Sequence, residues 1–196
     1  MLLVVKIGYM INEVTPLKLI EKGFGKEDLA VAVLVDFPFQ LLFGYYAAKW
    51  SDGPKPLAPY RKATWIRLFF AALGPIVIYL FPAQGVTRWY FLLVIAVTVL
   101  SSFASTVQFV SLGSFFSKIS DPKIGGTYMT LLNTVSNMGG TWPKFFILQG
   151  VEVFGYELTS VLVLGTGAIV IFGYVLKGIK EIEHVKLDQW RVSKKK

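Results

Sequence analysis

The sequence predicts an all-α polytopic membrane protein with five full transmembrane spans and a partial first span. Three observations carry this reading. Charged side chains make up 16% of the 196 residues and hydrophobic ones 54%, where a soluble domain carries about 25% charged residues. The charges are absent from long runs and dense between them, as expected when lipid surrounds the runs. The runs are also too long and too uniformly apolar for barrel strands, which need about 10 residues of alternating polarity.

In chain order, residues 1–11 read as the final part of a span. Lys6 interrupts their apolar run, which argues against a signal peptide. Five stretches then reach or approach the ~20 residues that cross ~30 Å of hydrocarbon: 29–48, 64–81, 89–116, 127–151 and 158–176. Turn-rich Ser51-Asp52-Gly53-Pro54-Lys55-Pro56 separates the first two, Pro82 closes the second, and Ser120-Asp121-Pro122 closes the third. Asp28 and Thr64 stand where N-caps would begin the runs that follow them. Residues 1–176 thus form the helical membrane unit, and 177–196 a basic tail.

Successive loops must alternate sides. Segments 49–63, 117–126 and 177–196 hold four, two and seven Lys/Arg, against three, one and none in 12–28, 82–88 and 152–157. The positive-inside rule therefore places the first set, and the C-terminus, in the cytoplasm. Lys194 stands third from the end, as in dilysine retrieval signals, although Val192 and Ser193 depart from that pattern.

Composition excludes several function classes. There is no Cys, hence no disulfide, zinc ribbon or thiol nucleophile. The single His, His184, lies in the tail without partners, so no transition-metal site is expected. The net charge of +8 is not accompanied by a basic, aromatic-interleaved face, which argues against nucleic acid. No Ser-His-Asp set, carboxylate pair or P-loop is visible, so neither an enzyme nor a cofactor is expected. The partner implied is the bilayer.

The run 127–151 is the least lipid-like. Thr130, Asn133, Thr134, Asn137, Thr141 and Lys144 recur at helical spacing and share one face. Such a face points to neighbouring helices or to a watery cavity. For each Thr or Asn, interhelical hydrogen bonding is an equal alternative. Lys144 is harder to place in lipid, since an intramembrane ammonium costs roughly 3 kcal/mol on insertion scales. Gly139, Gly140 and Pro143 mark an expected kink or local unwinding and a candidate hinge. In the run 89–116, Thr98, Ser101, Ser102, Ser105, Gln108 and Ser111 form a second stripe, with Gln108 the candidate for ligand contact. Lys6 is a second candidate buried cation, with Asp36 either its counter-ion or a group near an aqueous vestibule. Arg67, three residues inside its run, is expected to snorkel to the interface. Gly165, Gly167 and Gly173 read as close helix packing.

The stretch Ser120-Asp-Pro-Lys-Ile-Gly-Gly-Thr-Tyr-Met-Thr-Leu-Leu-Asn-Thr-Val-Ser-Asn-Met-Gly-Gly-Thr-Trp-Pro143 closely resembles acetyl-coenzyme A transporters of the endoplasmic reticulum membrane, solute carrier family 33 of the major facilitator superfamily. Lys6-Ile7-Gly8, Leu17-Lys-Leu-Ile-Glu-Lys-Gly23 with Lys26-Glu27, and Gly53-Pro-Lys-Pro-Leu57 are similar too. The resemblance implies half of a major facilitator-type bundle: the C-terminal half of a twelve-span protein, beginning inside its seventh helix. It implies movement of cytosolic acetyl-CoA into the lumen by alternating access against a second half-bundle or a homodimeric copy. The loop at 152–157 is shorter than in better-known members and lacks their cysteines. Transport of another organic anion, and a non-transporting protein that only packs against partner helices, stand as alternatives. For a multiply anionic substrate, Lys6 and Lys144 are the expected phosphate contacts, and Tyr128 or Trp142 the adenine platform.

Overall fold

The computed structural model describes residues 1–185 and 187–190. Lys186 and residues 191–196, with most of the tail's terminal cations, lie outside the described residues. Among the described residues there is no strand.

The expected partial span at the N-terminus is corrected. Residues 2–6 are turns, and Ile7–Glu13 is a 3₁₀ segment rather than an α-helix. The run is apolar because it is core: Val5, Tyr9, Met10 and Ile11 are buried. Helix α1 (Thr15–Glu21) follows, with Pro16 in its first turn, where no N–H is needed. It ends in a Schellman motif. Gly23 has φ 101°, its N–H donates to Ile20 O at 2.9 Å, and the N–H of Phe24 donates to Leu19 O at 2.9 Å.

Helix α2 (Lys26–Ser51) is capped by Gly25, and α3 (Leu57–Tyr79) by Pro56. Neither Asp28 nor Thr64 is a cap. Asp28 sits in the first turn of α2, where its charge complements the helix dipole. Thr64 is buried inside α3 and donates to Tyr60 O at 2.9 Å. The side-chain cap that does form is at α4 (Arg88–Ile119), where Thr87 Oγ1 accepts from the Tyr90 N–H at 3.3 Å. Helix α5 (Gly125–Phe154) runs unbroken through Pro143, so the expected local unwinding is absent. Gly155, at φ 81°, turns the chain into α6 (Tyr156–Val170). The local irregularity falls in a π turn, Ile171–Val175, leading to α7 (Leu176–His184). A short α8 (Leu187–Trp190) closes the described chain.

Four helical stretches are long and apolar enough to cross a membrane: Lys26–Ser51, Leu57–Tyr79, Arg88–Ile119 and Tyr156–His184. Four of the five expected full spans meet this measure, and α5 does not, although it runs between the same two ends of the bundle. Helix α5 has the length, 30 residues, but its polar residues hold its apolarity below that of the others. The protein is a polytopic helical membrane protein. Large apolar side chains such as Leu34, Leu41 and Ile169 point outward, as lipid-facing groups do.

Helix α4 packs along both α2 and α3, while the 3₁₀ segment is held among α3, α5 and α6. Glycines make the second contact possible. A Cβ on Gly167 would run into the Cα of Gly8, and one on Gly139 into the carbonyl of Leu2. Gly165 and Gly173 face open space, so close packing explains Gly167 but not the other two. The loops gather at two ends. At one, Tyr90 stacks edge-on with Phe24 and Phe81, and Thr15 Oγ1 bonds Tyr156 Oη at 2.8 Å. At the other, Lys118 Nζ donates to Asp52 O and Gly53 O, and Arg61 pairs with Glu183 at 3.5 Å.

Candidate functional site

The polar stripe of α4 mostly ties helices together. Ser111 Oγ meets Ser51 Oγ at 2.9 Å, and Ser114 donates to Ser51 O. Asp36 is 4% exposed and accepts from Ser102 of α4 at 2.5 Å and from Gln40 at 2.6 Å. It is therefore not the counter-ion of Lys6, because its lone pairs are engaged within α2 and α4. Lys6 instead donates to the Ser136 carbonyl of α5 at 2.9 Å.

Arg67 does not snorkel. Helix α3 starts at Leu57, seven residues earlier than its apolar run, which places Arg67 mid-helix rather than near an end. It falls in the inward stripe Tyr60, Thr64, Ala71, Gly74 and Ile78. Its Nη1 donates to Gln108 Oε1 at 3.0 Å, and its guanidinium carbon lies 3.9 Å from the Tyr9 ring centroid. Gln108 is buried, and its amide nitrogen donates to Thr64 Oγ1 at 2.7 Å. The chain Thr64–Gln108–Arg67 thus fixes the guanidinium between α3, α4 and the 3₁₀ segment. The Arg67 Nε–H is buried without an acceptor among the described residues.

Of the cavities that Arg67 lines, two are also lined by Lys6, with volumes of about 350 and about 320 Å³. They share Lys6, Tyr9, Arg67, Ser105 and Asn137 as lining. The first adds Glu13, Gly140 and Lys144, and the second Gln108 and Asn133. Three cations from three elements therefore face one polar space. Lys144 Nζ is 2.9 Å from Glu13 Oε2, and the two side chains are 45% and 48% exposed. Glu13 is the one acid among the residues lining either cavity.

Of the residues singled out in the sequence, Lys6, Lys144, Asn133, Asn137 and Gln108 come together here. Tyr128 and Trp142 do not line either cavity. Trp142 Nε1 donates to Leu3 O at 2.9 Å, and its ring lies edge-on to Phe146. Gly139 and Gly140 sit against the N-terminal segment, and a Cβ on Gly140 would lie 3.2 Å from Lys6 Nζ. The sequence did not place Arg67, Tyr9 or Glu13 in this lining, and it offered Ser105 only as part of the α4 polar stripe. The three- and four-residue spacing from Tyr60 to Ile78 was the signal for Arg67. Glu13 carried none, since it reads as an ordinary loop acid.

A family described as Acetyl-coenzyme A transporter 1 matches residues 1–61 and 54–156. The uncharacterized membrane protein YBR220C of Saccharomyces cerevisiae is 33% identical over 252 positions, covering 95% of this chain and 45% of the relative. The uncharacterized protein C21B10.09 of Schizosaccharomyces pombe is 42% identical over 151 positions, covering 74% of this chain and 28% of the relative. The chain thus spans less than half the length of these relatives. No solved structure matches. With the family match extending over most of its helices, the chain belongs to the acetyl-coenzyme A transporter 1 family.

Proposed function

We propose that this chain forms the C-terminal half-bundle of a transporter that moves acetyl-CoA from the cytosol into the lumen of the endoplasmic reticulum. The mechanism is alternating access, with this unit rocking against a second half-bundle or another copy around a site near the bilayer midplane. The C-terminus lies in the cytoplasm, on the cation-rich end. No catalytic step is part of this reading.

The observation that carries it is the convergence of Lys6, Arg67 and Lys144 on one polar space within a membrane-embedded bundle. Cations in such a setting are costly unless an anion or a carbonyl compensates them. Here Lys6 has a carbonyl, Lys144 has Glu13, and Arg67 has a neutral amide. The strongest charge deficit is at Arg67, whose planar fork suits a phosphate oxygen pair. Asn133 and Asn137 add neutral hydrogen-bonding groups to the lining. A multiply anionic coenzyme matches this combination better than a neutral or cationic solute.

The test is uptake of labelled acetyl-CoA into proteoliposomes holding the native protein together with its partner half. Saturable uptake, inhibited by excess CoA but not by a monoanionic acid such as acetate, is expected. Uptake of small organic anions with no response to CoA would overturn the substrate assignment. No uptake of any anion by correctly inserted protein would overturn transport itself and favour a packing role.

A further inference from the structure

A separate cavity lies away from the cation cluster, between the end of α2, the start of α3 and the mid-part of α4. It is larger, about 610 Å³, and mostly apolar. Its apolar lining includes Trp50, Ile66, Phe103 and Val107. Trp50 stands edge-on to Phe103 with ring centroids 6.0 Å apart. Beneath them Ala47, Ala63 and Val107 form a small buried cluster in which two alanines leave room beside the bulkier rings.

The charges in this cavity are all of one sign. Lys55 and Lys62 line it, both are exposed, and no acid does. Neither ammonium has an ion-pair or hydrogen-bond partner among the described residues, whereas Arg61 beside them pairs with Glu183 and Lys118 is occupied by loop carbonyls. Lys55 belongs to the loop Gly53–Pro54–Lys55, and Lys62 to the second turn of α3. Ile66 lies one turn further along α3, and Phe103 lies well inside α4. The lining therefore grades from cationic at the loop end to apolar along the span. Trp50, an aromatic of the kind enriched at membrane–water boundaries, stands beside the loop.

We propose that this groove binds one anionic glycerophospholipid, with its phosphate between Lys55 and Lys62 and an acyl chain along Ile66, Phe103 and Val107. Electrostatic complementarity selects the occupant. A packing helix would bury two ammonium groups against an apolar wall without acids to meet them. A zwitterionic lipid would bring its own ammonium to the two lysines. An anionic headgroup satisfies both cations while its chain fills the apolar part. The site is independent of the substrate reading, since the two share no lining residue.

The experiment is native mass spectrometry of the detergent-purified protein after exchange with equal phosphatidylinositol and phosphatidylcholine. Retention of one phosphatidylinositol per chain in preference to phosphatidylcholine is expected. Lys55→Gln with Lys62→Gln should reduce that preference roughly tenfold or more, from the attraction expected of two juxtamembrane cations. Ala58→Phe, which narrows the groove and leaves both charges, should lower retention of both lipids. Soluble glycerophosphoinositol should fail to displace the lipid, because it lacks the acyl chain. Equal retention of the two lipids by the parent would overturn the proposal. So would an unchanged preference in the double lysine variant, or crosslinking of Lys62→Cys to another polypeptide with no lipid selectivity.

Discussion

Replacing Arg67 should impair anion binding more than replacing Lys144 does, although the sequence alone favours Lys144. Arg67→Gln removes a hydrogen bond from a charged donor to Gln108 at 3.0 Å and a cation–π contact to Tyr9 at 3.9 Å. It also removes the charge that no acid offsets. A hydrogen bond to a charged group contributes about 1.5–3 kcal/mol. If a substrate phosphate meets Arg67, losing that bond weakens binding by roughly 10- to 150-fold. Lys144 is half-exposed and already paired with Glu13, so Lys144→Gln should cost at most a few-fold. Arg67→Lys keeps the charge but loses the fork and the ring stacking, and should fall between the two. The assay is acetyl-CoA binding by the protein in nanodiscs, with melting temperature recorded for each variant. The gap between Arg67→Gln and Arg67→Lys separates charge loss from geometry. Parent-like binding by Arg67→Gln, or a larger loss in Lys144→Gln, would refute the argument.

Three further outcomes follow from the packing and the charges. Glu13→Gln releases Lys144 from its ion pair and should tighten acetyl-CoA binding by up to about fivefold, the limit for an exposed pair worth ~1 kcal/mol; isothermal titration checks this, and weaker binding would contradict it. Gly167→Ala should destabilise the bundle by about 1–3 kcal/mol, because the new methyl meets the backbone of Gly8, while Gly165→Ala faces open space and should be neutral or slightly stabilising in a thermal melt. Single cysteines in this Cys-free chain test sidedness: Lys55→Cys and His184→Cys should label from one side of the membrane and Gln84→Cys from the other, all three positions being exposed, whereas Ser51 is buried against Ser111 and unsuitable.

The helices were legible because lipid imposes a coarse rule, namely long apolar runs between charged loops. The runs 29–48, 89–116 and 127–151 each fall inside one observed helix, whereas 64–81 overruns α3 by two residues and 158–176 crosses α6 and the π turn to the start of α7. What failed were inferences that need to know which face meets which neighbour. Asp36 and Lys6 looked like partners because both are charges inside apolar runs, yet Asp36 faces Ser102 on α4 and Lys6 faces the backbone of α5. Arg67 was misjudged because hydropathy places the start of α3 at residue 64, although Pro56 begins the helix seven residues earlier and moves the arginine to mid-span. The N-terminal residues are apolar because they are buried, not because they cross lipid, and burial does not specify an α-helix. Glycine at 8 and 167 lets that irregular segment press on α6, a contact that requires two glycines far apart in sequence.

Helix α5 brings the functional and structural arguments together. It is too polar to stand alone among lipids, and its side chains divide between two tasks. Ser136, Gly139, Pro143 and Ile147 are buried against the bundle, where Gly139 admits the N-terminal strip closely. Asn133 and Asn137 remain exposed while lining the two cavities, and Lys144 stands half-exposed beside them. Unpaired amides facing hydrocarbon would each cost several kcal/mol, so this face requires water, substrate or another helical layer. A transport site needs this combination. One side of the helix is packed against the segment that carries Lys6, and the other is polar, as the proposed function requires of a face that meets substrate. The polar residues that keep α5 from reading as an ordinary span are thus the ones that the proposed function uses.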